Sequence, residues 1–287
     1  MEIIESHTVL TQDHPVRLSE YVIGIFDAIT TRQGMKKAIK KGLVMVNGEV
    51  AETGRFLKGG EIISLCKPSV IPDQPIAELK LEVCYEDDYL AVIHKPAGVV
   101  VSGNQLKTIY NALPFNLVVS RQTDALSRPA PVHRLDFPTS GLLLVGKTSS
   151  TVVALSKMFE EKKMEKIYHA VTIGKMEKTG ILNASIGGKM AETWFEVLKS
   201  VESARFGILN LVALKPLTGR RHQLRIHLSQ LGQPILGDKD YGKPGLILKG
   251  KGLYLQASGL KFSHPVSGEI LDFNLPLPKK FKKIFSL

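Results

Sequence analysis

The sequence predicts an α+β protein: a small helical and hairpin domain, then a larger domain built on a mixed, largely antiparallel β-sheet. Three observations carry this. Lys67 to Pro75 holds three prolines in nine residues, which breaks helix and sheet alike and marks a linker. Upstream of it, apolar residues recur at helical spacing. From Leu79 onward, strand patterns follow one another with few helices between them, unlike a doubly wound α/β chain. The boundaries expected are 1–67 for the first domain, 68–78 for the linker and 79–287 for the second.

In the first domain Leu18, Val22, Ile25 and Ile29 share one side of a helix over 18–28. Thr30 or Thr31 can cap a second helix running to Lys41. Met35 and Ile39 face its core side, and Lys36, Lys37, Lys40 and Lys41 form a basic edge. Taken alone, that edge fits a solvated face as well as RNA contact. Residues 43–50 read as a hairpin on the Asn47-Gly48 turn, and 62–65 as a strand. In the second domain, strands are expected over 81–85, 89–94, 141–145 and 167–173, then an alternating pair over 193–201 and 205–214. A helix capped by Ser149 or Ser150 runs to about Glu161.

Charge narrows the function. Against 27 Asp and Glu stand 38 Lys and Arg, giving a formal net charge of +11. Such a balance favours an anionic partner, and nucleic acid is the commonest one. Cys66 and Cys84 make neither a CxxC motif nor a disulfide framework, which suits a reducing compartment. The N-terminus is acidic where a signal peptide is basic, and no apolar run reaches the ~20 residues of a membrane span. A cytoplasmic protein with no membrane partner is expected.

Two motif readings fail on physical grounds. Gly141 to Thr148 matches the P-loop pattern letter for letter, but Leu142-Leu-Leu-Val145 is a strand sequence. Its amides should pair with neighbouring strands and cannot curl around phosphate. His222 and His227 are five residues apart, about 140° around a helix, and share no metal-binding face. Ser140, His133 and Asp136 lack the elbow that exposes a serine nucleophile. What remains is one carboxylate, Asp136, between a basic residue and a tight turn, with a densely cationic block at 217–228 about eighty residues downstream. That pairing points to nucleophilic chemistry on a polyanion.

The blocks VHRLDFPTSGLLLV (132–145), KIYHAVTIG (166–174) and KPLTGRRHQLRIHLSQLGQPILGDKDYG (215–242) closely resemble the RluA family of pseudouridine synthases, in the same order. The segment YEDDYLAVIHKPAG and the closing LQASGLKFSHPVSGE extend the resemblance from about Val83 to the C-terminus. His133 before Arg-Leu-Asp favours RluA over the related RsuA group. In the first domain, two short helices, KKGLVMVNGEV and the Gly59–Ile63 strand resemble the S4 RNA-binding domain, departing from it at Thr31-Arg32-Gln33. The resemblance implies an S4-like domain ahead of a pseudouridine synthase catalytic domain.

It also implies isomerisation of uridine in RNA, with no cofactor, no metal and no bound nucleotide. Asp136 takes the place of the catalytic nucleophile or base, and Arg225 that of the arginine paired with it. Tyr168 matches the active-site tyrosine and Arg134 the motif arginine near the RNA. Phosphate contacts fall to Arg220, Arg221 and Lys239 in the second domain, and to Arg32, Lys36, Lys37, Lys40 and Lys41 in the first. A stacked uridine must be flipped out to react, and the apolar strand 142–145 is suited to wall off a dry pocket. Gly237 to Gly242 reads as a structural turn in which Asp238 caps backbone amides, without chemistry. Ser102 and Gln256 depart from the family pattern at positions that bear on which RNA is accepted. The expected partner is RNA, ribosomal ahead of transfer RNA, and the protein is expected to be a monomer. The competing reading is a catalytically idle RNA-binding or ribosome-assembly protein. Binding alone would not need Asp136, Tyr168 and Arg225 together.

Overall fold

The computed structural model describes residues 2–29, 31–66, 75–248 and 250–286, and the chain divides into two compact units, 1–74 and 75–287.

The first unit contains β1 (Ile3–Thr8), β2 (Val16–Arg17), α1 (Leu18–Tyr21), α2 (Arg32–Lys40), β3 (Val44–Val46), β4 (Glu49–Val50), β5 (Phe56–Leu57) and β6 (Ile62–Cys66). A four-stranded sheet runs β1-β6-β3-β4, and β2 pairs with β5. The helix expected over 18–28 stops after one turn, because Gly24 adopts φ +77°, a left-handed conformation that ends a helix. Its apolar residues still do their work: Leu18, Val22 and Phe26 are buried, with Ile25 and Ile29 packed against them. Helix α2 forms as read. Thr31 Oγ1 accepts from the Gly34 amide at 3.1 Å, while Met35, Ala38 and Ile39 enter the core and the four lysines stay exposed. Asn47 and Gly48 both take positive φ, the requirement of the tight hairpin turn joining β3 to β4. Of the proline-rich linker, residues 67–74 lie outside the described residues, as does Thr30. The stretch after it packs on the second unit, where Ala77 is buried and donates its amide to the Asn111 carbonyl.

The second unit runs β7 (Glu82–Glu86), β8 (Leu90–Lys95), α3 (Ile109–Asn116), β9 (Ala125–Pro131), β10 (Ser140–Thr148), α4 (Ser149–Glu160), β11 (Glu165–Ile173), β12 (Thr179–Ile186), β13 (Lys189–Ser203), β14 (Gly207–Pro216), α5 (Gln223–Gln230), β15 (Leu255–Ser263), β16 (Ile270–Asn274) and α6 (Lys279–Phe285). Eight strands follow the order β12-β13-β14-β11-β15-β10-β8-β7, with β16 beside β15 and β9 beside β10. Every pairing is antiparallel except β10 with β15. That parallel contact is short, Ser140 to Gln256 and Gly141 to Ala257. It needs a glycine. Gly141 sits at φ +129°, and any Cβ there would collide with the Ala257 backbone.

Strand β10 is the segment that matches the P-loop pattern. Its residues from Gly141 to Gly146 pair with β8 as an extended strand, so their amides cannot curl around phosphate. Lys147 is 2% exposed and ion-paired to Glu86 at 2.7 Å. The strand continues to Thr148, further than expected, so the cap of α4 is Thr148 and not Ser149 or Ser150. Thr148 Oγ1 accepts from the Thr151 amide at 3.2 Å. Leu142 to Val145 are fully sequestered in two core clusters on opposite faces of the sheet. They stiffen the platform below the site and do not line the cleft, contrary to the expectation that they wall it. Among the described residues, no helix is long and apolar enough to cross a membrane.

Candidate active site

Asp136 lies on the loop between β9 and β10. Its carbonyl accepts from the Thr139 amide at 3.0 Å, closing a tight turn. The carbonyl of the next residue, Phe137, accepts from the Gly98 amide at 2.8 Å and from Lys95 Nζ at 3.5 Å. Burial pushes the Lys95 ammonium down to about 8, although the negative charge of Asp136 works against that shift. On the other side of Asp136, His133 Nε2 accepts from the Leu144 amide at 3.0 Å, which fixes the neutral ring with its proton on Nδ1. Burial drives His133 down to about 3, and the Lys166 charge adds to that. The loop is therefore tied to the sheet on both sides of a carboxylate that is itself 16% exposed.

Arg225 arrives from α5. Burial opposes its charge, but hydrogen bonds to Asp238 and Asp240 outweigh that cost and hold the guanidinium protonated. Nε and Nη2 donate to the two Asp238 oxygens, each at 2.7 Å, and Nη2 also donates to Asp240 at 2.6 Å. Nη1 is left facing Asp136 Oδ2 at 3.8 Å. The opposite carboxylate oxygen, Oδ1, faces His222 Nε2 at 3.7 Å. Gln223 holds the start of α5 in place. Its Oε1 accepts from Thr218 Oγ1 and the Arg220 amide, while its Nε2 donates to the Glu192 carbonyl and Thr193 Oγ1.

Tyr168 comes from β11, where the pairing register to β15 shifts between Ile167 and Tyr168. A bulge there re-aims the side chain, as bulges beside sites commonly do. Burial and the Asp136 charge both raise the phenol above its ordinary value, so it stays protonated and able to donate.

These groups share one cleft of about 700 Å³. Asp136, Tyr168, Arg225, His222, Arg134, Arg220 and Arg221 all line it, and Leu135, Leu224 and Leu255 supply apolar wall. The structure thus brings together the three residues read as the catalytic trio, with the motif arginine and both loop arginines at the rim. Lys239 is exposed on the 237–242 turn, outside the residues that line the cleft. The first-unit candidates, Arg32 and the four α2 lysines, are exposed on their own unit. Ser102 borders a smaller adjoining hollow with Tyr110, His133 and Arg134, whereas Gln256 is buried on β15. Reading the sequence missed Asp238 as the anchor of Arg225. It anticipated only the amide caps, which do form, from Asp240 and Tyr241 to Asp238 Oδ1. It also treated His222 only as a failed metal ligand. The signal that was available is the acidic pair Asp238 and Asp240 following the arginine-rich block at 217–228.

Comparison with known proteins gives the family. Residues 89–230 match the family described as RNA pseudouridylate synthase. An uncharacterized RNA pseudouridine synthase of Aquifex aeolicus is 33% identical over 100% of this chain and 98% of its own length. The ribosomal large subunit pseudouridine synthase C of Rickettsia bellii is 32% identical over 96% and 100%. Human RNA pseudouridylate synthase domain containing 1 superposes with a TM-score of 0.57 at 26% identity, covering 71% of this chain and 86% of the human one. The chain belongs to the RluA family of RNA pseudouridine synthases, which are isomerases.

Proposed function

We propose that the protein converts specific uridines of ribosomal RNA to pseudouridine, with Asp136 as the catalytic carboxylate acting on a flipped-out nucleoside. The observation that carries this reading is the convergence of Asp136, Tyr168 and Arg225, from three separate elements, on one cleft. In the reaction the N1–C1′ bond breaks, the base turns, and C5 bonds to C1′. The C5 hydrogen then leaves and N1 gains a proton. Asp136 meets the reacting sugar or base, Arg225 steadies the carboxylate as an anion, and the Tyr168 ring packs on uracil with its hydroxyl protonated. Flipping costs a few kcal/mol, which phosphate contacts from Arg134, Arg220 and Arg221 offset. Ribosomal RNA is favoured because relatives along nearly the whole chain carry ribosomal large subunit names.

Asp136→Asn should abolish tritium release from RNA containing 5-tritiated uridine while RNA affinity stays within about threefold, since one neutralised side chain leaves the phosphate contacts in place. Full activity in that variant removes Asp136 from the chemistry.

The first unit is proposed to be an S4-like RNA-binding domain. Support comes from the four exposed lysines on α2 and from Arg32 at its start. Replacing the lysines with glutamine should weaken RNA binding and flatten its dependence on salt, by about one unit of slope per lost phosphate contact. An unchanged slope takes this helix out of the interface.

A further inference from the structure

Two groups flank Asp136, one on each oxygen, and the chemistry above uses only Arg225. His222 is the other. It occupies the N-cap of α5, where Ser, Thr, Asp or Asn usually accepts a helix amide, yet it makes no side-chain cap hydrogen bond. Its backbone is left-handed, at φ 57° and ψ 20°, a conformation that strains a non-glycine residue. So the side chain serves neither the helix start nor the backbone. It is aimed elsewhere.

The ring is held at both ends. Nδ1 lies 2.9 Å from the Tyr241 hydroxyl, and Nε2 faces Asp136 Oδ1 at 3.7 Å. When the phenol donates to Nδ1, the ring proton sits on Nε2 and points at the carboxylate. The other neutral tautomer would turn a lone pair toward an anion. Tyr241 is well placed to enforce this choice. Its amide donates to Asp238 Oδ1 at 3.1 Å and its carbonyl accepts from Ser229 Oγ at 2.8 Å. Its ring meets His222 edge-on at 5.6 Å and lies under the Arg225 guanidinium at 4.9 Å. One tyrosine therefore braces both partners of Asp136.

We infer that His222 is a positioning residue for Asp136, its N–H presented to Oδ1 by the Tyr241 hydroxyl while Arg225 holds Oδ2. The inference rests on Asp136 being the carboxylate that meets the uridine. Drawn in to hydrogen-bond length, a donor on each oxygen fixes the carboxylate plane. Both contacts stand slightly beyond hydrogen-bond length, as catalytic contacts often do before substrate closes the site.

The test uses the full chain, with single-turnover tritium release from 5-tritiated large-subunit ribosomal RNA and a separate measurement of RNA affinity. Asparagine tolerates the left-handed backbone but is too short to reach Asp136, whereas the glutamine amide reaches about as far as Nε2. His222→Asn should slow the chemical step by about ten- to a hundredfold, the range set by one hydrogen bond to a charged group. RNA affinity should move by less than about twofold, because no phosphate contact is lost. His222→Gln should recover much of the rate. Tyr241→Phe, which keeps the ring beneath Arg225, should slow the reaction alone but add nothing to His222→Asn. A backbone role predicts the opposite ranking, so Asn faster than Gln overturns the inference, as does a Tyr241→Phe effect that multiplies with His222→Asn. Full activity of Asp136→Asn would instead overturn the underlying reading. An inactive Asp136→Asn beside a fully active His222→Asn defeats only the role given to His222.

Discussion

Of the three carboxylates around Arg225, Asp136 on the loop between β9 and β10 and Asp238 on the 237–242 turn are built differently. The Asp238 side chain is 1% exposed and takes a forked pair of hydrogen bonds at 2.7 Å, plus two backbone amides. Its accepting capacity is spent. The Asp136 side chain is 16% exposed, and its neighbours His222 and Arg225 stop at 3.7 and 3.8 Å. One acid is consumed in holding the arginine; the other is held near it with lone pairs to spare. The carboxylate proposed to react differs from the structural one by its unspent valence, not by its choice of partner.

Substitution can break this contrast. Asp238→Ala leaves Arg225 buried without its main partner, and losing one side of a buried pair costs about 3–5 kcal/mol. Chemical denaturation should show that loss, whereas Asp136→Asn should stay within about 1 kcal/mol of the parent. Equal destabilisation by the two would erase the distinction.

Acid should sharpen it. His133 titrates near 6.5 when unfolded and at about 3 when folded, so the unfolded chain binds more protons between those values. Its contribution is complete above pH 6.5 and is lost as pH falls toward 3. Melting profiles across this range should flatten in His133→Gln, because the loop carrying Asp136 no longer depends on a neutral imidazole. A profile of unchanged slope would detach the loop from that histidine.

The smallest effect belongs to Asp240. It also touches Arg225, but its side chain is 63% exposed, and ion pairs in water contribute roughly 0–1 kcal/mol. Asp240→Asn should leave the melt nearly unchanged. A loss as large as that from Asp238→Ala would show that short distance, and not burial, governs these pairs.

Much of this molecule is legible before folding, for local reasons. Thr31, Met35 and Ile39 announce α2, and Asn47-Gly48 announces its hairpin, because caps, periodicity and turn residues act over a few positions. The refusal of the P-loop is local too, since Leu142 to Val145 carry strand propensity whatever surrounds them. Local rules also mislead. Apolar spacing over 18–28 promised a longer helix than Gly24 allows, and the extra length of β10 moved a cap from serine to Thr148.

Sequence by itself supplied the candidates: Asp136 stands out by its setting, Tyr168 and Arg225 are picked out by resemblance to the RluA family, and the basic surplus favours an anionic partner. Tertiary structure alone decided which acid is spent on the arginine and which keeps lone pairs to spare. It also decided that a histidine rejected as a metal ligand would face Asp136, and that a turn read as inert would brace the arginine. The reason is physical. Spare hydrogen-bonding capacity and burial depend on groups 13 to 89 residues away in sequence, such as Asp238 from Arg225 and His222 or Arg225 from Asp136, and only packing sets those distances.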